Sequence, residues 1–201
     1  MALLSQTDRE AVKEHFDKLV KNVPIELKKA PGASDTEEIL KELGELSEKL
    51  TVKVVESESG EMLPTVAIGT TGRVLFRGTP SGYEFSSLLT GIIDSGRDEV
   101  SLTPQTREFL DGLTGDLHMK VFVTPTCPHC PAAVVLAHRM AAYSEKVTAE
   151  AIEANEFQDE AVKYQVQGVP RTVINETFAT EGAQPESYLI EALKRHMEKE
   201  S

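Results

Sequence analysis

Apolar residues recur along the chain with two kinds of spacing, and the two kinds alternate. Spacings of three and four residues predict amphipathic helices, which we place at 7–21, 34–49, 82–94, 104–113, 130–143, 157–165 and 185–197. Short apolar runs between turn residues predict strands, which we place at 23–27, 50–55, 63–68, 73–76, 119–124, 147–152, 171–174 and 177–179. Helices and strands that alternate in this way indicate an α/β fold.

The two halves of the chain share landmarks at a steady distance, which points to an internal repeat. Pro64 opens an apolar run in the first half and Pro170 opens one in the second, 106 residues later. Pro80 precedes a helix and Pro185 precedes another, 105 residues later. We interpret the constant offset as duplication of one unit, with two unrelated α/β folds as the alternative.

The order of elements within each half restricts its topology. A strand, a helix and a second strand predict a right-handed parallel crossover, and the two close strands that follow predict an antiparallel hairpin before a last helix. We therefore predict two tandem thioredoxin-like units, each a mixed four-stranded central sheet flanked by helices. The polar, turn-rich stretch 94–99 places the boundary between units 1–97 and 98–201.

Composition and charge exclude several classes of partner. The 201 residues carry 33 Asp and Glu against 21 Lys and Arg, a formal net charge of −12. Such a chain is poorly suited to nucleic-acid phosphates or anionic lipid. No apolar run approaches the roughly 20 residues that cross a bilayer, and the first ten residues lack the pattern of a secretory signal. We expect a cytoplasmic protein.

The candidate reactive motif is Cys127-Pro128-His129-Cys130, which contains both cysteines of the chain. The motif follows an apolar strand, so we predict Cys127 near the helix N-cap, Pro128 in the first turn and Cys130 one turn further. The positive end of the helix dipole would then favour a Cys127 thiolate, the species that attacks disulfides. Cys130 would lie deeper and close a disulfide with Cys127. The pair predicts reversible dithiol–disulfide exchange.

The two middle residues are predicted to tune the redox balance. A His129 that stabilises the thiolate would make the couple more oxidising than ordinary thioredoxins; alternatively His129 is only an exposed imidazole. Zinc is a weaker alternative for the pair, because structural zinc takes four ligands and the chain has no second Cys-x-x-Cys. An inert disulfide or two inert thiols is a further alternative. We therefore expect neither a metal nor a cofactor.

Gly168-Val169-Pro170 is the second supporting feature. Proline is unfavourable inside a sheet, and a cis Val169–Pro170 bond would explain its place at the start of a strand. The Val169 backbone could then pair with an extended substrate segment. We find no buried carboxylate that would accept a proton from Cys130, and we predict Glu150 and Glu153 as surface charges.

These residues together resemble a known family. The segment Thr124–Pro131, Gly168-Val169-Pro170, Asn175-Glu176-Thr177 and the segment Leu75–Phe85 are similar to those of the archaeal and bacterial protein disulfide oxidoreductases, glutaredoxin-like proteins of two thioredoxin-fold units. The resemblance implies Cys127 as nucleophile, Cys130 as resolving thiol and Pro170 as cis-proline. It also implies client proteins with disulfides or thiols, and a thioredoxin-reductase-type flavoenzyme as electron partner.

The chain departs from that family in its first half. Many members have a Cys-x-x-Cys in both units, but the equivalent stretch here is Ala30-Pro31-Gly32-Ala33-Ser34. We therefore expect a redox-inactive first unit. The layout also resembles the N-terminal domain of the flavoprotein component of bacterial alkyl hydroperoxide reductases, which implies a dedicated electron carrier to a peroxiredoxin as an alternative. A non-catalytic client-binding module with a redox switch is the third interpretation.

Overall fold

The computed structural model describes residues 4–32, 34–57 and 62–200, which form an α/β fold. The strands are β1 (Val23–Lys29), β2 (Leu50–Glu56), β3 (Thr65–Ile68), β4 (Val74–Arg77), β5 (Leu117–Val123), β6 (Val147–Glu153), β7 (Arg171–Ile174) and β8 (Phe178–Glu181). The helices are α1 (Gln6–Phe16), α2 (Asp35–Gly44), α3 (Tyr83–Ser95), α4 (Pro104–Asp111), α5 (Cys130–Tyr143), α6 (Gln158–Lys163) and α7 (Glu186–Glu200).

All eight strands lie in one mixed sheet, in the order β2-β1-β3-β4-β6-β5-β7-β8. In the first half β1 pairs in parallel with β2 and antiparallel with β3, and β3 pairs antiparallel with β4. In the second half β5 pairs in the same senses with β6 and β7, and β7 with β8. Each four-stranded part therefore has the predicted topology. Parallel pairing of β4 with β6, which we did not predict, joins the two parts into one sheet.

The sheet separates a large core from a small one. Met119 and Val121 of β5 pack into the large core, which α3 and α5 also enter through Leu88 and Val134. Phe122, on the opposite face of β5, packs with Ile152, Tyr164 and Val173 in the small core. The alternation of side chains along a strand explains this division. Helix α6 has no counterpart among the described residues of the first half.

Helices α1 and α2 each end five residues before their predicted ends. Helix α1 begins after Ser5, not at Thr7, because Ser5 and Asp8 form a capping box, and it ends at Phe16. The following turn bonds to Gly96 instead, since the amides of Val20 and Lys21 both donate to its carbonyl. Val20, which lies within the predicted helix 7–21, is outside the observed helix and 58% exposed. Helix α2 ends at Gly44 rather than at residue 49.

Candidate active site

Cys127 and Cys130 form a disulfide at the carboxyl end of β5, with their Cα atoms 5.5 Å apart. The site has the depth gradient that the spacing predicts: Cys127 is 7% exposed and Cys130 is fully buried. Of the two cysteines, Cys127 is therefore the one that retains some contact with solvent.

The helix begins at Cys130, in agreement with the predicted range 130–143, but its N-cap residue is His129 and not Cys127. Cys127 and Pro128 precede it, and the proline near the helix start is Pro131. The Cys130 N–H nevertheless donates to the Cys127 sulfur at 3.1 Å, and the same N–H also donates to the Cys127 carbonyl at 3.4 Å. A sulfur that accepts such a bond is stabilised more as a thiolate than as a thiol.

The residues between and beside the cysteines are accessible. Pro128 and His129 are exposed, so the imidazole of His129 faces solvent beside the disulfide. The Val169–Pro170 bond is cis, as predicted, with Pro170 buried and Val169 half-buried. The Pro170 carbonyl accepts from Gly182 N–H at 2.8 Å, whereas neither the N–H nor the C=O of Val169 has a hydrogen bond within the described residues.

The first half keeps the same proline geometry without cysteines. Its Leu63–Pro64 bond is also cis, and the Pro64 carbonyl accepts from Gly78 N–H at 2.8 Å. The chain between β1 and α2 includes the stretch aligned with the cysteine motif, of which Ala33 lies outside the described residues. The correspondence supports the duplication inferred from the proline spacing.

Glu84 is a buried carboxyl group that the sequence analysis did not single out. It lies on the first turn of α3, is fully buried, and neither carboxylate oxygen has a well-aligned hydrogen-bond partner within the described residues. Burial raises the pKa of Glu84 to about 7; the neighbouring Ser87 hydroxyl opposes the rise and the charge of Glu153 adds to it. Its position four residues before Leu88, on the apolar stripe of α3, is the signal that could have identified it.

Helix α3, which carries this carboxyl group, contacts the elements around the redox pair. It packs against α5, the helix that Cys130 opens, and the N–H of Tyr83 donates to the Pro125 carbonyl at 2.9 Å, two residues before Cys127. The buried acid therefore belongs to a first-half helix that packs against the helix of the cysteines.

Two other glutamates near the site have different roles, and both were wrongly predicted as surface charges. Glu150 is buried between Arg77 at 2.6 Å and His118 at 2.5 Å. Burial opposes its ionisation, but these two partners outweigh it and lower the pKa of Glu150 to about 2. Glu153 is buried too, and its carboxylate accepts from the Asn155 side chain and the Glu156 amide.

No metal site accompanies the cysteines within the described residues, where no group of three or more His, Cys, Asp or Glu side chains is placed to hold an ion. None of the described helices combines the length and apolar character needed to cross a lipid bilayer.

The family model of the thioredoxin domain matches residues 117–194, which contain the disulfide and the cis-proline. The crystal structure of a protein disulfide oxidoreductase from Aeropyrum pernix K1 superposes with a TM-score of 0.84 at 30% identity, over 93% of this chain and 90% of that chain. The chain belongs to the protein disulfide oxidoreductase family. As a family member it is a thioredoxin-fold thiol–disulfide oxidoreductase.

Similarity also extends to the alkyl hydroperoxide reductase AhpF. The Escherichia coli K12 protein is 26% identical over 86% of this chain, but the match spans 34% of that protein. The chain thus spans about a third of the length of the curated relatives it matches. The NTD_N/C domain of AhpF from Enterococcus faecalis has the same fold, with a TM-score of 0.86 at 23% identity over 94% of this chain and 99% of that chain.

Proposed function

We propose that this oxidoreductase exchanges disulfides with client proteins through Cys127 as nucleophile and Cys130 as resolving thiol. The observation that carries the proposal is the asymmetry of the pair, in which Cys127 is 7% exposed and Cys130 is fully buried. A client sulfur can reach Cys127, whereas Cys130 can reach only Cys127.

The exchange transfers two electrons in two steps. The Cys127 thiolate attacks one client sulfur, so a Cys127–client disulfide forms, the client disulfide breaks, and the released client thiolate takes up a proton. The Cys130 thiolate then attacks Cys127, re-forms the internal disulfide and releases the second client thiolate. The client is reduced and the pair oxidised; the reverse sequence oxidises the client.

Glu84 is proposed as the acceptor of the Cys130 proton. A buried thiol has to lose its proton before it attacks, and solvent cannot reach Cys130. A carboxyl group with a pKa of about 7 takes up and releases a proton near neutral pH. We therefore assign Glu84 as the base that deprotonates Cys130.

The remaining site residues are assigned to client recognition and to tuning. The unpaired N–H and C=O of Val169 are available to an extended client segment, and buried Pro170 holds that backbone beside the site. Exposed His129 and Pro128 lie where they can stabilise the thiolate form and tune the reduction potential.

The cysteine-free unit, with its boundary between residues 97 and 98, is proposed to support the redox pair rather than to react itself. Electrons are proposed to come from a thioredoxin-reductase-type flavoenzyme in the cytoplasm. A dedicated electron carrier between such an enzyme and a peroxiredoxin is the second candidate, favoured by the similarity to AhpF over most of this chain.

Reduction of insulin by dithiothreitol tests the proposal. The wild-type protein is expected to accelerate insulin aggregation, and Cys127→Ser is expected to abolish the acceleration. Equal aggregation with and without the protein would contradict catalysis of protein disulfides. Binding of clients without turnover would then support the client-binding module, and fast reduction of a purified peroxiredoxin alone would support the dedicated carrier.

A further inference from the structure

The first half of the chain contacts the loop that leads to Cys127. The contact is made by Gly82, the residue before α3, and Pro125. Gly82 has a φ of +58°, and a Cβ atom there would overlap the Pro125 carbonyl oxygen and come within 3.0 Å of its carbonyl carbon. Glycine is therefore required twice, by the backbone conformation and by the close approach.

A hydrogen bond accompanies this approach. Tyr83 is the first residue of α3, and the N–H groups of a first helical turn have no partner within their helix. The Tyr83 N–H donates to the Pro125 carbonyl at 2.9 Å. The positive end of the α3 dipole therefore meets a carbonyl oxygen, which is a favourable arrangement.

The Pro125 carbonyl lies inside the turn that places the nucleophile. Cys127 N–H donates to the Thr124 carbonyl at 3.1 Å, so Pro125 and Thr126 are the central residues of a turn that ends at Cys127. Cys127 in turn accepts the Cys130 N–H at 3.1 Å. A displacement of the Pro125 peptide therefore changes the position of the Cys127 sulfur relative to that amide.

We propose that the Gly82–Tyr83 backbone is a positioning element that sets the reduction potential of the Cys127–Cys130 couple. The couple takes up two electrons and two protons when the disulfide becomes a dithiol. The Cys130 N–H stabilises the reduced form when Cys127 is a thiolate, so loss of this alignment favours the disulfide and makes the couple less oxidising. The inference rests on the proposed exchange and assigns a task to the cysteine-free half.

Equilibration with glutathione tests the inference with two independent variants. Gly82→Ala introduces the overlapping Cβ, and Tyr83→Pro replaces the N–H by a ring carbon that meets the Pro125 carbonyl, at a helix position that tolerates proline. Each is expected to shift the equilibrium about tenfold toward the disulfide, the low end of the effect of one hydrogen bond to a charged group. A tenfold shift is about 30 mV for a two-electron couple.

Matched controls separate positioning from damage to the fold. Gly72 has a φ of +66° and open space around it, so Gly72→Ala carries the same backbone strain without the overlap. Tyr83→Ala removes the exposed side chain and keeps the N–H. Both controls are expected to retain the wild-type potential. Potentials of Gly82→Ala and Tyr83→Pro that equal those of the controls would overturn the inference.

A second measurement tests the positioning role independently of the proposed function. The pH dependence of Cys127 alkylation is measured on reduced protein whether or not any client is turned over. The apparent pKa of the thiol is expected to rise in Tyr83→Pro and to stay unchanged in Tyr83→Ala. A wild-type protein that fails with insulin contradicts only the proposed function, whereas an unchanged alkylation profile in Tyr83→Pro contradicts only the positioning role.

Discussion

Replacement of Glu84 by Gln is expected to change the stability of this oxidoreductase and its rate of disulfide exchange in opposite directions. The substitution keeps the shape of the side chain but removes its proton equilibrium. In the wild-type protein the pKa of Glu84 rises on folding from 4.5 to about 7, because burial of the carboxyl group outweighs the opposing effect of the Ser87 hydroxyl. The folded state therefore binds this proton more tightly than the unfolded state does.

The sign of the effect on stability follows from that difference. Between pH 4.5 and about pH 7 the unfolded chain releases the proton and the folded chain retains it, so the free energy of unfolding falls as the pH rises. The difference amounts to at most about 3 kcal/mol above pH 7. In Glu84→Gln the free energy of unfolding does not have this dependence on pH. We expect the variant to gain stability over the wild type at pH 8 and not at pH 4.

The effect on activity has the opposite direction. A positioned general base contributes about a hundredfold or more to the rate of a proton-coupled step. We expect Glu84→Gln to slow the attack of Cys130 on the mixed disulfide about a hundredfold near pH 7, with the attack by Cys127 on the client unchanged.

Urea unfolding at several pH values measures the stability, and stopped-flow exchange with a disulfide peptide resolves the two chemical steps. Glu153→Gln is a second comparison: it removes a charge that raises the pKa of Glu84, so the pH profile of stability is expected to move to lower pH without disappearing. A variant whose stability follows the wild-type pH profile would refute the assignment of a neutral buried acid. A second step as fast as that of the wild type would refute the role as base.

Three further predictions concern two buried titratable residues, Glu150 and His138, and the backbone of Val169. Glu150→Gln breaks the buried pairs with Arg77 and His118, so the free energy of unfolding at pH 7 should fall by about 3 kcal/mol in urea titrations, and the loss should shrink as the pH falls from 4.5 toward 2. Burial lowers the pKa of His138 to about 4, so wild-type stability should fall as the pH drops from 6.5 to 4, and His138→Gln should remove that dependence in the same titrations. Val169→Pro removes one backbone donor, so the KM for protein disulfides should rise several-fold while reaction with dithiothreitol stays unchanged; an unaltered KM would exclude strand pairing at this residue.

The repeated strand and helix pattern was sufficient to predict the topology of each half. The join between β4 and β6 was not predictable, because pairing of two sheet edges leaves no periodic signal in either strand. The disulfide and the cis-proline were predictable because each depends on residues close in sequence. Glu84 and the Gly82 contact were missed because they act across the two halves, where only the fold brings them together.

The surface character of Glu150 and Glu153 was predicted wrongly for a related reason. A carboxylate on a strand is usually exposed, and Glu150 is buried only because Arg77, which is distant in sequence, pairs with it. Glu153 is bonded by Asn155 and the Glu156 amide, which follow it directly but form no recognisable sequence pattern. The N-cap of α5 was predicted at Cys127 rather than His129, because Pro128 and Pro131 both fit a first helical turn by sequence. Pro131 has that position in the structure.

Mass spectrometry of trapped intermediates tests the central claim most directly. Reduced Cys130→Ser protein, mixed with a disulfide-bonded client, is expected to accumulate a stable mixed disulfide on Cys127, because the resolving thiol is absent. Reduced Cys127→Ser protein should accumulate none at the same concentration, since Cys130 is fully buried. Equal trapping by both variants, or trapping by Cys130 alone, would contradict the assignment of Cys127 as the sulfur that meets the client.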